Sequence, residues 1–142
     1  MSSTEEVRVV EVEATFRHSA GRLGSHFLTT IRDEARLVGW RTGARVIAPP
    51  KDLGVPGEWV AIGPGAILEA YAPTEWLGDV DRVAEDGSCL ALVTLDGADT
   101  AMLTRLRPAP SVNGLPIGAR LVACFKPDRT GAMTDFWFEP AP

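Results

Sequence analysis

Cysteine is scarce in this chain, with only Cys89 and Cys124 among 142 residues. The two do not form a C-x-x-C pair and cannot build a disulfide framework. Their apolar neighbours, in SCLALV and LVACFK, predict strand positions where an unpaired thiol serves as a small hydrophobe. A reactive thiol is the alternative. Histidine is equally scarce: His18 and His26 stand eight residues apart, with no cysteine near and no H-x-x-x-H spacing, so no metal site is expected from them. No apolar run approaches the ~20 residues that cross a bilayer. The opening MSSTEEVRVV lacks the basic start and apolar core of a secretory leader. A cytoplasmic protein without membrane contact is therefore expected. Positive charge is also in deficit, with 14 Lys and Arg against 19 Asp and Glu and a net charge of −5. Proteins that track nucleic-acid phosphates normally present a basic surface, so the balance argues against that class while leaving a local basic patch open.

Catalytic signatures are missing as well. No serine stands in a G-x-S-x-G frame. The acidic pairs Glu5-Glu6, Asp33-Glu34, Asp79/Asp81 and Glu85-Asp86 fall in tail, helix-face or loop settings, where a solvated surface explains them. GPGAIL at Gly63 lacks the third glycine of a dinucleotide fingerprint and runs into strand-like sequence, so it reads as a turn. No catalytic residue is assigned.

What is present suffices for a core. With 45% hydrophobic and 23% charged residues, the chain fits one domain, or one domain with a small module attached. Residues 1–20 read as a polar end followed by an extended arm. Leu23, Phe27, Ile31 and Ala35 then recur every four residues, the period of a half-buried helix, predicted over residues 21–38. Ser25 or an earlier polar residue is the expected cap, and Gly39 the expected stop.

From Gly39 the texture changes to short apolar pieces divided by Gly and Pro. Arg45–Ala48 and Glu58–Ile62 read as two strands within residues 39–63, the first stopped by Pro49 and Pro50. Five more strands are expected within residues 64–142: Ala66–Ala72, Cys89–Leu95, Ala101–Leu106, Ala119–Lys126 and Thr134–Phe138. The second of these is apolar on both faces, as suits a central strand, and Asp96-Gly97 is a hairpin signal before the third. The long acidic connection Pro73–Ser88 and the turn-rich Pro108–Gly118 separate them. The expected class is mostly β: a five-stranded OB-fold barrel preceded by an N-terminal helix and a small ribbon, with a sandwich as the alternative.

Two sets of residues invite a functional reading. Arg105 and Arg107 share a side of one strand end and Lys126 closes another, so neighbouring barrel strands would make them a phosphate-binding patch. Ordinary strand-end charges are the competing explanation. Of four tryptophans, Trp59 and Trp137 are expected in the core. Trp40 and Trp76 sit in loop-like sequence, where an aromatic marks a partner interface.

The order of a helix ending near LVGWR, then RVIAPP, EWVAIGPGAI, LVTLDGADTAMLTRLR, GLPIGARLVACFKP and FWFEP resembles the thiolase-associated family that joins a helix, a rubredoxin-like zinc ribbon and an OB-fold. The resemblance covers residues 16–140. It places the family's two Cys-x-x-Cys pairs near Trp40 and Gly43 and near Leu53 and Pro56, and none of the four is cysteine here. A zinc-free ribbon, packed by Trp40, Val46, Ile47 and Trp59, is therefore expected. The resemblance implies a non-catalytic partner of a thiolase-superfamily enzyme, of thiolase or steroid side-chain aldolase type, that helps bind an acyl-CoA substrate. Arg105, Arg107 and Lys126 would then meet the CoA phosphates, and Trp40, Trp76 and the helix face would meet the partner. Two rivals stand beside it. One is an OB-fold binder of single-stranded nucleic acid, which would need aromatics in a basic groove; the other is a small hydrolase or CoA-processing enzyme.

Overall fold

The computed structural model describes residues 19–72, 88–107 and 114–142. The N-terminal arm, the connection that carries Trp76, and the first part of the link after Arg107 lie outside these residues. The chain runs α1 (Gly21–Glu34), β1 (Leu37–Thr42), β2 (Arg45–Ile47), β3 (Glu58–Ile62), β4 (Gly65–Tyr71), β5 (Cys89–Leu95), β6 (Met102–Leu106), β7 (Arg120–Phe125), a 3-10 turn (Met133–Asp135) and β8 (Phe136–Pro140).

The helix buries Leu23, Phe27, Thr30 and Ile31, so the four-residue stripe does face the core. At its start Ser19 Oγ, a polar residue earlier than Ser25, accepts a hydrogen bond from the Gly21 N–H at 3.1 Å. Its other end differs from expectation. The helix stops at Glu34, because Ala35 turns left-handed at φ 51° and donates its N–H to the Ile31 carbonyl. Gly39 is not the stop but a residue of β1. Leu37, Val38 and Trp40 are all buried, which a central strand covered on both faces satisfies and an amphipathic helix end does not. Glycine is required there by a close approach: a Cβ on Gly39 would lie 2.5 Å from Val46 Cγ1.

Strands β2-β1-β3 form a small antiparallel sheet, with Trp40 opposite Ile47 on one side and Trp59 on the other. Strands β4-β5-β6-β8-β7 close into a barrel. Its pairs are antiparallel except β6–β8, where Leu106 lies beside Phe138 in parallel. This is a five-stranded Greek-key barrel of the OB type, as expected. Alternation of side chains along each strand fills it: Ala66, Leu68, Val93, Leu95, Met102, Leu106, Leu121, Phe136 and Phe138 point inward. The rings of Phe136 and Phe138 meet edge to face at 6.2 Å.

Two details depart from simple alternation. The register of β4 slips between Leu68 and Ala70, and this bulge turns Ala70 outward, where uninterrupted alternation would have kept it inside. Strand β5 is central, but only Cys89, Ala91, Val93 and Leu95 are covered; Leu90 and Leu92 face outward.

Candidate docking face

The outward side of β5 and β6 is where the barrel departs most from an ordinary soluble surface. Leu92 stands opposite Leu103, and Leu90 opposite Arg105. Leu90 is 44%, Leu92 40% and Leu103 61% exposed. One strand over, Ile67 on β4 is also exposed. Scattered exposed leucines are ordinary, whereas three contiguous ones across a strand pair form a patch of the kind that marks an interaction site. A shallow groove of about 190 Å³ continues the patch, floored by Leu90 and Leu103 and edged by Arg105, Met133 and Thr134.

The groove's edge is built by the turn before β8. Asp135 Oδ2 accepts the backbone N–H groups of Thr130, Gly131 and Ala132 at 3.0, 2.7 and 2.9 Å. Burial pushes this carboxyl up, but the N–H groups of Ala132, Gly131 and Thr130, with the charge of Lys126, outweigh it and leave it below the usual carboxylate range. The fixed turn presents the Thr134 carbonyl, which accepts from Arg105 Nη2 at 2.9 Å. Arg129 ties the same region to the helix, donating from Nε to the Ile31 carbonyl at 2.9 Å and from Nη1 to that of Lys126 at 2.8 Å. The end of α1, the turn and the end of β7 are thereby held as one piece.

Arg105, Arg107 and Lys126 approach one segment, 134–138, from two sides. Arg105 reaches it from β6 through Thr134, and the Arg107 guanidinium lies 4.3 Å over the Trp137 ring. Trp137 donates Nε1–H to Glu139 at 3.1 Å. Lys126 comes from the β7 side, where its backbone N–H meets the Asp135 carbonyl and its charge acts on the Asp135 carboxylate. Strand β8 stands between the arginines and Lys126.

Trp40 is placed differently from its loop-like reading. It lies inside β1, 6% exposed, with its ring 4.9 Å from that of Trp59. Trp76 lies outside the described residues. Trp59 is half-buried, with the His26 ring of α1 at 4.3 Å from its own. Sequence reasoning missed Leu90, Leu92, Leu103 and Met133. The double-sided apolar pattern of β5 is the available signal, and taken alone it predicts burial on both faces.

Neither cysteine is prepared for nucleophilic chemistry. Burial pushes the Cys89 thiol up. Cys124 is pushed up to about 12, by burial first and then by Glu139, against a smaller opposing effect of Arg107. A second cleft, about 250 Å³, lies where the helix end, the β3–β4 link and β7 meet, lined by Leu37, Ile62, Pro64 and Phe125 among others. It is apolar and below the usual size of a small-molecule pocket.

No family model matches the chain, and no curated protein matches it by sequence. Among solved structures, the chain is similar to one from a structure titled "Ltp2-ChsH2(DUF35) aldolase", at 19% identity and a TM-score of 0.64. The match covers 87% of this chain and 98% of that one. At that identity the likeness is one of fold.

Proposed function

We propose that the chain is a non-catalytic accessory subunit of a thiolase-superfamily enzyme, of thiolase or steroid side-chain aldolase type, and that it helps hold an acyl-CoA substrate. The observation that carries this reading is the exposed leucine face of β5 and β6, continued by a groove that has Arg105 on its edge. A contiguous exposed apolar patch rimmed by polar groups marks an interaction site, and arginine is enriched at interfaces. Arg105, Arg107 and Lys126 are the groups offered to CoA phosphates, since guanidinium and ammonium groups suit phosphate oxygens. The fold's likeness to a chain of an aldolase structure supports the choice of enzyme class. The raised thiols of Cys89 and Cys124 support assigning the chemistry to the partner. An OB barrel that binds single-stranded nucleic acid would need aromatics along a basic groove, whereas the groove here is floored by leucines.

Affinity isolation of the tagged protein from its native source, followed by mass spectrometry, tests the reading. Recovery of a thiolase-fold enzyme at a fixed ratio is expected. Recovery of no such enzyme, or of nucleic acid in its place, would refute it.

A further inference from the structure

The resemblance to a rubredoxin-like ribbon would place its two zinc knuckles near Trp40 and Gly43 and near Leu53 and Pro56. None offers a sulfur or imidazole donor, and tetrahedral zinc needs four. Among the described residues, no three His, Cys, Asp or Glu side chains form a group able to hold a metal. The two tips nonetheless face each other, for Gly43 and Pro56 line one cleft with Arg41, Gly57 and Glu58. The frame is a three-stranded antiparallel sheet, and the donor set there does not fit a metal.

We propose that the β2-β1-β3 sheet is a metal-independent element, fastened at its tip by an indole packed on a glycine and at its edge by a clasp from the barrel. At the tip, Trp40 occupies the first knuckle position and lies against the backbone of Gly57. A Cβ on Gly57 would come within 2.5 Å of Trp40 Cε2 and 2.6 Å of the Arg41 carbonyl oxygen, so only glycine admits the ring. The Trp40 ring meets Trp59, its cross-strand neighbour, and Trp59 meets His26 of the helix. The next register pair, Arg41 and Glu58, is an ion pair. Trp40 Nε1 is buried without a hydrogen-bond partner, so contact area and not polarity holds the ring.

At the edge, β2 has a strand partner only in β1 among the described residues. The turn between β5 and β6 pairs with its other side. Val46 donates its N–H to Asp99 Oδ2 at 2.8 Å, and its carbonyl accepts from the Asp99 N–H at 2.8 Å. The Thr100 hydroxyl accepts from the Ala48 N–H and donates to the Ala48 carbonyl, both at 2.9 Å. The barrel's hairpin thus completes the ladder of the small sheet. A metal secures such a module from within, whereas this one is secured by its neighbour.

Three measurements on the full chain test the proposal. Elemental analysis of protein purified without chelator is expected to find no stoichiometric zinc, and added chelator to leave the melting temperature unchanged. Stoichiometric zinc, or a midpoint lowered by chelator, would overturn it. Trp40→Phe is expected to lower the midpoint by less than about 5 °C, because no hydrogen bond is lost, and Gly57→Val by roughly 5–10 °C. A Gly57→Val protein that melts within a degree or two of the parent would overturn the indole packing. In the milder variant Thr100→Val, amide exchange at Ala48 is expected to quicken at least about tenfold relative to amides inside the barrel. Unchanged exchange at that amide would overturn the clasp.

Discussion

Asp135 is the residue on which the groove's edge depends, although it does not line the groove. Its carboxylate holds three backbone N–H groups through one oxygen, and the turn so formed sets the Thr134 carbonyl that orients Arg105. Replacing it by alanine removes all three acceptor contacts. A hydrogen bond to a charged group contributes about 1.5–3 kcal/mol. The three share one oxygen, and Thr130 is exposed enough for its freed N–H to reach water, so the total is well short of three times that value. We expect Asp135→Ala to lose about 3 kcal/mol by urea unfolding, or roughly 6–12 °C of melting temperature at this chain length. Asp135→Asn keeps one carbonyl acceptor without the charge and should lose about half as much. The pH dependence follows from the sign of the shift. The folded carboxyl lies below the ordinary value, so its contribution is complete above the unfolded value of about 3.9 and disappears as pH falls through the folded one. The gap between parent and Asp135→Asn should therefore hold from pH 7 to 5 and close below about pH 4. An Asp135→Ala protein that melts within a degree or two of the parent, or a gap that ignores acid, would refute the reasoning.

Three further outcomes are expected. Phe136→Ala, which empties a fully buried site between Phe125 and Phe138, should cost about 3–5 kcal/mol in urea titration. Asp96→Ala breaks a bidentate pair with Arg120 at 2.9 and 2.5 Å; because both groups are about half exposed, the loss of stability in urea titration should be small and shrink further in high salt. Cys124, pushed up to about 12, should resist iodoacetamide at pH 8 in the folded protein and react after denaturation, and Glu139→Gln should lower the pH at which the folded protein reacts.

The barrel was legible because its strands alternate and its breaks are made of Gly and Pro. Cys89–Leu95 has the limits expected of it, as has Glu58–Ile62 in the small sheet, and Phe136 and Phe138 share the barrel interior with Trp137 on the other side. The helix end was not legible. Ala35 continues the four-residue stripe, and nothing local reveals that it adopts a left-handed cap so that Leu37–Trp40 can enter a sheet. The bulge at Glu69 was hidden for a similar reason: local sequence does not encode where a strand must bend to pair with β5 and β7 at once. At the site, the arginines were visible as charges on one strand side, but the leucine face was not. Apolar residues on both faces of β5 predict two covered faces when the chain is taken alone, and here the fold covers one. The clasp of Asp99 and Thr100 on Val46 and Ala48 joins residues more than fifty positions apart, beyond the reach of any local pattern.

The leucine face is tested most directly by one comparison of recovered partner. Leu103→Asp places a charge at the centre of the patch, whereas Leu53→Asp places one at another exposed leucine, in the small sheet's loop, 50% exposed against 61% for Leu103. Both variants should fold and melt as the parent does. Isolated under identical conditions, Leu53→Asp should recover a thiolase-fold enzyme in the parent's amount and Leu103→Asp less than about a tenth of it, the tenfold loss that 1.4 kcal/mol produces. Equal recovery by the two variants would contradict the assignment of β5 and β6 as the docking face.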